Sequence, residues 1–160
     1  MAMVEQKQKS LSGKYLSFFL DEEEYGIEIL KVREIFAYTS ITQIPRTPAY
    51  VLGVINLRGS VIPVVDLRIK FGMASSEITD SSCIIVVEIN NGSSVVPTGV
   101  LIDRVSEVME VTQEQIQESP EFGSSINTDF ILGMAKVGSS VKILLDIDRI
   151  FVGSNLDSLV

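Results

Sequence analysis

The segment Val51–Phe71 occurs twice in this chain. Shifted by 80 positions, Gly53, Asp66 and Phe71 fall on Gly133, Asp146 and Phe151 without a gap. Val51-Leu52-Gly53 becomes Ile131-Leu132-Gly133, Ser60-Val61 becomes Ser140-Val141, and Val64-Val65-Asp66 becomes Leu144-Leu145-Asp146. A second register, at a shift of 73, carries Gly26-Ile27 and Val32-Arg33-Glu34-Ile35 onto Gly99-Val100 and Val105-Ser106-Glu107-Val108. The seven residues separating the two registers fit a longer loop within Thr112–Thr128. Two copies are too few for a solenoid, which needs at least three, so the duplication predicts two small β units.

Within the unit, the β-branched runs Val51–Leu57 and Val61–Val65 flank Arg58-Gly59-Ser60, the pattern of a tight hairpin with Gly59 free to take positive φ. Pro63 has no N–H for a ladder, which predicts an edge strand or a bulge. Asp66 is placed to cap a short helix over Leu67–Phe71, and Asp146 to cap a closing turn over the residues up to Phe151. Arg58 is the one long charged side chain in the turn. Gly138 and Ser139 take its place in the second copy, so the scaffold is duplicated and the arginine is not.

In chain order, residues 1–13 read as a polar tail, Tyr15–Leu20 as a strand and Asp21-Glu22-Glu23-Glu24 as a solvated acidic turn lacking calcium-loop spacing. Alternation from Tyr25 to Phe36 predicts one long bent strand. Gln43–Pro48 is a stiff connector into the hairpin. Small polar residues at Gly72–Ser81 mark the boundary between a first subdomain, residues 14–80, and a second, residues 81–152. There, Ser82–Ile89 is a strand, Asn90-Asn91-Gly92 a turn, and Val95–Asp103 with Val105–Val111 a long interrupted strand. Thr112 and Gln115 form a capping-box pattern over Thr112–Gln117. Residues 118–128 read as irregular and 153–160 as a second tail.

At about 70 residues, each half is too small for a robust core, so the two should dock. Net charge is −8, which argues against a phosphate-backbone ligand and so against nucleic acid. The first 80 residues hold nine basic and ten acidic side chains, the last 80 four and eleven, so the halves offer partners different fields. Cys83 is the only cysteine and lies in an apolar run, which predicts a buried structural thiol and a reducing, cytoplasmic compartment. No apolar run reaches membrane-spanning length, and the N-terminal residues lack the apolar core expected of a signal peptide.

The chain contains no histidine, which removes the usual general base and the commonest metal ligand. One cysteine cannot form an ordinary zinc site, and no glycine-rich phosphate loop is present, so no metal or cofactor is expected. The one enzymatic alternative is a shared-proton dyad of Asp66 and Asp146, as in aspartic proteases. Leu67-Arg68 and Ile147-Asp148 follow them where such sites carry a small hydroxyl residue and a glycine, and helix capping explains both more simply. Polyproline recognition needs an aromatic groove, and this chain has no tryptophan.

Gly26-Ile27, Val32-x-Glu34-Ile35, Gly53-Val54-x-Asn56-Leu57-Arg58-Gly59, Pro63-x-x-Asp66-Leu67-Arg68 and Leu145-Asp146 resemble the CheW-like family of bacterial chemotaxis coupling proteins. The similarity runs from about Tyr15 to Phe151. Pro97-Thr98 before Gly99 departs from the family pattern as an apparent local insertion and predicts a bulge. The resemblance implies a mainly β fold of two five-stranded SH3-like barrels with short helices. It also implies a non-catalytic adaptor joining the cytoplasmic tip of methyl-accepting chemoreceptors to the regulatory domain of the histidine kinase CheA, or serving a related system such as surface motility. The receptor tip is a helical hairpin, so Val32, Ile35, Val105 and Val108 are expected to line an apolar groove between the barrels. Glu34 and Arg58 are expected to join them and to pair with each other. Ile44, Pro45, Leu57 and Arg58 are expected on the kinase side.

Overall fold

The computed structural model describes residues 11–75, 77–117 and 130–151. The expected irregular stretch at 118–128, the second tail and most of the first tail lie outside the described residues.

The structure is mainly β, with eleven strands among the described residues: β1 (Gly13–Leu20), β2 (Glu23–Glu28), β3 (Val32–Ala37), β4 (Val51–Leu57), β5 (Ser60–Asp66), β6 (Cys83–Asn90), β7 (Val95–Ile102), β8 (Arg104–Val111), β9 (Ile116–Gln117), β10 (Ile131–Val137) and β11 (Ser140–Leu145). Two one-turn helices, α1 (Leu67–Lys70) and α2 (Ile147–Ile150), follow β5 and β11. One sheet has the order β3-β6-β7-β5-β4, the other β8-β1-β2-β11-β10-β9. Each curls toward a barrel because the chain leaving one edge returns to the other. Thr42, downstream of β3, bridges Val54 of β4, and β9, downstream of β8, pairs with β10.

Neither sheet is built from one half of the chain. Strands β6 and β7 complete the first barrel with β3, β4 and β5, while β1 and β2 complete the second with β8, β10 and β11. The boundary expected at residues 80/81 therefore follows the repeat but not the sheets. The physical reason is the crossovers. β2 passes through a single 3-10 turn, Ile29–Lys31, into β3 of the other sheet, and only Asp103 separates β7 from β8. A 3-10 turn at Ile29–Lys31 and a single residue at Asp103 carry the chain onward instead of forming the two-residue hairpin seen at Arg58-Gly59, so it continues into the neighbouring barrel. The long bent strand expected from Tyr25 to Phe36 is thus two strands in two sheets. The exchange also creates the parallel pairs, β5 with β7 and β11 with β2.

Each crossover is held by an ion pair to a capping helix. Arg68 of α1 meets Asp103 at 2.8 Å, and Asp148 of α2 meets Lys31 at 2.8 Å. Three apolar clusters result. Ile55, Ile62, Val64, Ile84 and Val86 fill the first barrel, and Tyr15, Met109, Val111, Ala135 and Leu144 the second. The most extensive cluster lies between the barrels, where Leu16, Phe18 and Ile27 meet Ile85, Val87, Val100 and Ile102. The halves dock through this shared core, as small domains must.

Pro63 sits in an interior strand. Opposite it, both the N–H and the C=O of Val54 bond to Thr42, so β4 asks nothing of Pro63, and the β5–β7 ladder begins one residue later at Val64. The bulge in that hairpin falls at Val51/Gly53 instead. A Cβ on Gly53 would lie 2.0 Å from the Thr42 carbonyl oxygen. No bulge occurs at Pro97-Thr98: β6 and β7 pair in unbroken register from Cys83↔Ile102 to Asn90↔Val95, and on the other side the β5–β7 pairing begins only at Val64↔Gly99, so the missing N–H is not called on. The pattern at Thr112–Gln117 yields one 3-10 turn (Gln113–Gln115), with the Gln115 side chain accepting the Thr112 N–H at 2.8 Å. Cys83 is half-buried at the edge of the shared core rather than fully enclosed.

Candidate protein-interaction surfaces

Strand β3 separates two surfaces. Its side chains alternate, and their cross-strand neighbours on β6 identify where each one points. Val32 and Ile35 stand opposite Val87 and Ile85, which belong to the core between the barrels. Glu34 and Phe36 stand opposite Val86 and Ile84, inside the first barrel. On β8, Val105 and Val108 stand opposite Phe18 and Leu16, again of the shared core. All four predicted groove residues therefore lie on the facing surfaces of the two sheets. Val32 and Val105 pack at the bottom against the core. Ile35 and Val108 remain 41% and 56% exposed and add apolar surface to the two sheets.

Glu34 lies on the other side of β3, away from this groove, and Arg58 reaches it from the β4–β5 turn. Arg58 Nη1 donates to Glu34 Oε1 at 3.2 Å and Nη2 donates to Oε2, a bidentate pair. Arg58 is 73% exposed at its side chain, so the pair lies on the outside of the barrel end. The arginine holds a positive φ of 51°, followed by Gly59 at 89°, the combination of a type I′ hairpin turn. Asn56 pins the turn by accepting the Gly59 N–H at 2.9 Å. The second copy places glycine at the equivalent first position, Gly138 with φ 62°. A long side chain in that conformation is sterically disfavoured. The Glu34 carboxyl lies below its ordinary pKa because of the hydrogen bonds from Arg58, reinforced by the charges of Arg58 and Arg33 against a small burial effect.

The equivalent place in the second barrel is built differently, and sequence reasoning missed it. Lys142, only 6% exposed, meets Glu24 at 3.0 Å and Glu107 at 4.0 Å. Burial pushes Glu24 upward, but hydrogen bonding with Lys142, Ser17 and Ser106 and the Lys142 charge together hold it below the ordinary carboxylate value. The signal was present: a lysine within Val141–Leu145, at a position where the first copy carries Ile62.

The expected kinase-side set does not converge. Leu57 adjoins Arg58, whereas the turn at Pro45-Arg46 follows Thr42, and Gln43 packs on Gly53 toward the other end of β4. Ile44 and Pro45 are thus separated from Leu57 by most of that strand. Asp66 and Asp146 are helix caps. They accept the backbone N–H groups of Arg68 at 2.9 Å and Arg149 at 3.2 Å. Asp66 is 3% exposed, and burial raises its pKa against the hydrogen bonds from the Arg68 and Ile69 backbone. A raised acid costs stability as pH climbs from its unfolded value of 3.8 through its folded one. Asp66→Asn keeps a good cap without the charge. The variant is expected to gain on the parent as pH rises from about 4 to 7 in urea unfolding; an equal loss at every pH would contradict this.

No helix among the described residues is long and apolar enough to cross a membrane, and the described residues contain no group of three or more His, Cys, Asp or Glu able to hold a metal ion. Two exchanged β barrels around a common core, with a charged turn at the surface, define a class of all-β, two-barrel proteins. Residues 14–154 match the CheW-like domain, and the chain belongs to that family. It is 39% identical over 142 residues to the chemotaxis protein CheW of Klebsiella aerogenes, covering 89% of this chain and 83% of that one. It is 38% identical to the chemotaxis protein CheW of Rhizobium meliloti, covering 85% of each chain. The crystal structure of the scaffolding protein TtCheW from Thermoanaerobacter tengcongensis superposes with a TM-score of 0.76 at 37% identity, covering 88% of this chain and 93% of that one.

Proposed function

We propose that this chain is a non-catalytic cytoplasmic adaptor that couples the cytoplasmic tip of methyl-accepting chemoreceptors to the regulatory domain of the histidine kinase CheA. The observation that carries this reading is the division of β3. Ile35 stands on the core-facing side of β3 and Glu34 on the side of the first barrel, so one rigid strand offers two partners two separate faces. Aliphatic side chains offered by both barrels suit a helix laid across them. Ile35 and Val108 come from different barrels, so a helix touching both would span the shared core. The relatives named as chemotaxis and scaffolding proteins support this assignment.

Arg58→Asn tests whether the turn serves binding. An Asn-Gly pair suits a type I′ turn better than Arg-Gly does. The variant is expected to keep or slightly raise the melting temperature while losing affinity for the receptor fragment or for the kinase domain. Unchanged binding to both, with a lowered melting temperature, would make Arg58 a structural residue.

A further inference from the structure

The end of the first barrel remote from Arg58 holds a buried carboxylate beside a cavity. Along β5 the side chains of Ile62 and Val64 point into the first barrel, and alternation sends Asp66 the same way. Its neighbour across the parallel ladder is Leu101, another residue of that interior. Asp66 is 3% exposed, yet it lines a cavity of about 250 Å³ walled by Ile41, Leu52, Leu101, Ile78 and Tyr38. A second cavity, of about 350 Å³, shares Tyr38 and Ile78 with the first and has Asp80 on its far side. Two carboxylates thus flank an apolar wall. Ile78 and Tyr38 are large side chains left substantially exposed there. The backbone N–H of Arg68 bonds one Asp66 oxygen at 2.9 Å, which occupies only part of the roughly four acceptor sites of a carboxylate. The Arg68 guanidinium is turned instead to Asp103 at 2.8 Å and to the Ala74 carbonyl at 2.9 Å. Burial raises the Asp66 pKa, a cost that a bound cation would offset. A metal ion would find too few ligands, since the described residues hold no group of three or more His, Cys, Asp or Glu able to bind one. The second barrel does not repeat the arrangement. Its equivalent aspartate, Asp146, is only partly buried, and Val111 and Glu28 occupy the positions of Tyr38 and Leu101.

We infer that these adjacent cavities bind an aliphatic polyamine, with one ammonium on the Asp66 carboxylate, the methylene stem against Tyr38 and Ile78, and a second ammonium at Asp80. Charge-assisted hydrogen bonds hold the two ends, and the stem covers apolar surface that is otherwise left to water. The first cavity is below the roughly 300–1,000 Å³ of drug-sized sites and suits a slim chain rather than a ring system. A lysine side chain carries the same stem but a single charge, so the second carboxylate favours the polyamine. The site does not depend on the adaptor reading.

The test follows the methyl signals of Leu52, Leu101 and Ile78 in the full-length chain at constant ionic strength. Millimolar putrescine or spermidine is expected to shift all three. Butanol, and magnesium chloride at matching charge, are expected to leave them in place. Asp66→Asn keeps the helix cap and is expected to weaken polyamine binding about tenfold or more. Asp80→Asn, at an exposed position, is expected to bring putrescine down to the affinity of singly charged butylamine. No shift with either polyamine, equal shifts with magnesium, or parental affinity in either variant overturns the site. Tighter binding of acetyl-lysine-amide than of both polyamines overturns the polyamine in favour of a protein lysine.

Discussion

Lys142→Met is expected to destabilise the protein by about 3–5 kcal/mol, the cost of leaving a buried charge without its partner. The Lys142 and Glu24 side chains are 8% and 15% exposed, so water replaces little of what is lost. On the order of 10 °C should disappear from the melting temperature. The pH dependence carries the diagnosis. In the parent, Glu24 has a depressed pKa, so its contribution is present above the unfolded value and fades as pH falls through the folded one. Without Lys142 the carboxyl is buried with only hydroxyl partners and its pKa rises. The deficit should therefore narrow as the solution is acidified. Adding Glu24→Gln to Lys142→Met should recover much of the loss, because removing both members of a buried pair costs far less than removing one. A single variant as stable as the parent at neutral pH would show the pair contributes nothing.

The second large effect concerns the apolar surface offered by both barrels. Ile35→Glu and Val108→Glu each place a carboxylate on it. Both residues are substantially exposed, at 41% and 56%, so stability should change by no more than about 0.5 kcal/mol. Binding of a receptor helical hairpin should fall about tenfold to a hundredfold for each, since an anchor contact is replaced by a charge that must be desolvated. Kinase-domain binding should be unaffected by Val108→Glu, which lies on the second barrel. Val32→Ala and Val105→Ala are less informative, because both pack against the shared core and alter stability as well. Unchanged receptor affinity in both glutamate variants would remove this surface from the account.

Much of this was legible before any coordinates. The register at 80 gave both hairpins and both helix-capping aspartates, and the register at 73 paired Val32 with Val105 and Ile35 with Val108, which stand on the core-facing sides of β3 and β8. What a repeat cannot say is which copy a strand pairs with. Equivalent strands carry equivalent patterns, so β1 and β2 fit either barrel by sequence. The chain switches sheets at the single residue Asp103 and at the 3-10 turn Ile29–Lys31, neither of which has the form of a two-residue hairpin turn. The family resemblance groups Glu34 with the receptor-side residues. Strand alternation places it on the other face, and the two-for-one pairing of Arg33 and Glu34 against Val86 sets the register. Glu24 was hidden in a run of four acids, where only sheet pairing shows which one points inward. Arg58 stood out for its charge, but its positive φ could be read only from the turn itself.

The most direct test immobilises a chemoreceptor cytoplasmic fragment and asks whether this chain retains the CheA regulatory domain on it. Two partners on opposite faces of β3 should bind together, so kinase retention should rise in proportion to added chain and be lost with Val108→Glu. If kinase and receptor fragment instead displace one another from the chain, the two surfaces are one, and the adaptor account is wrong.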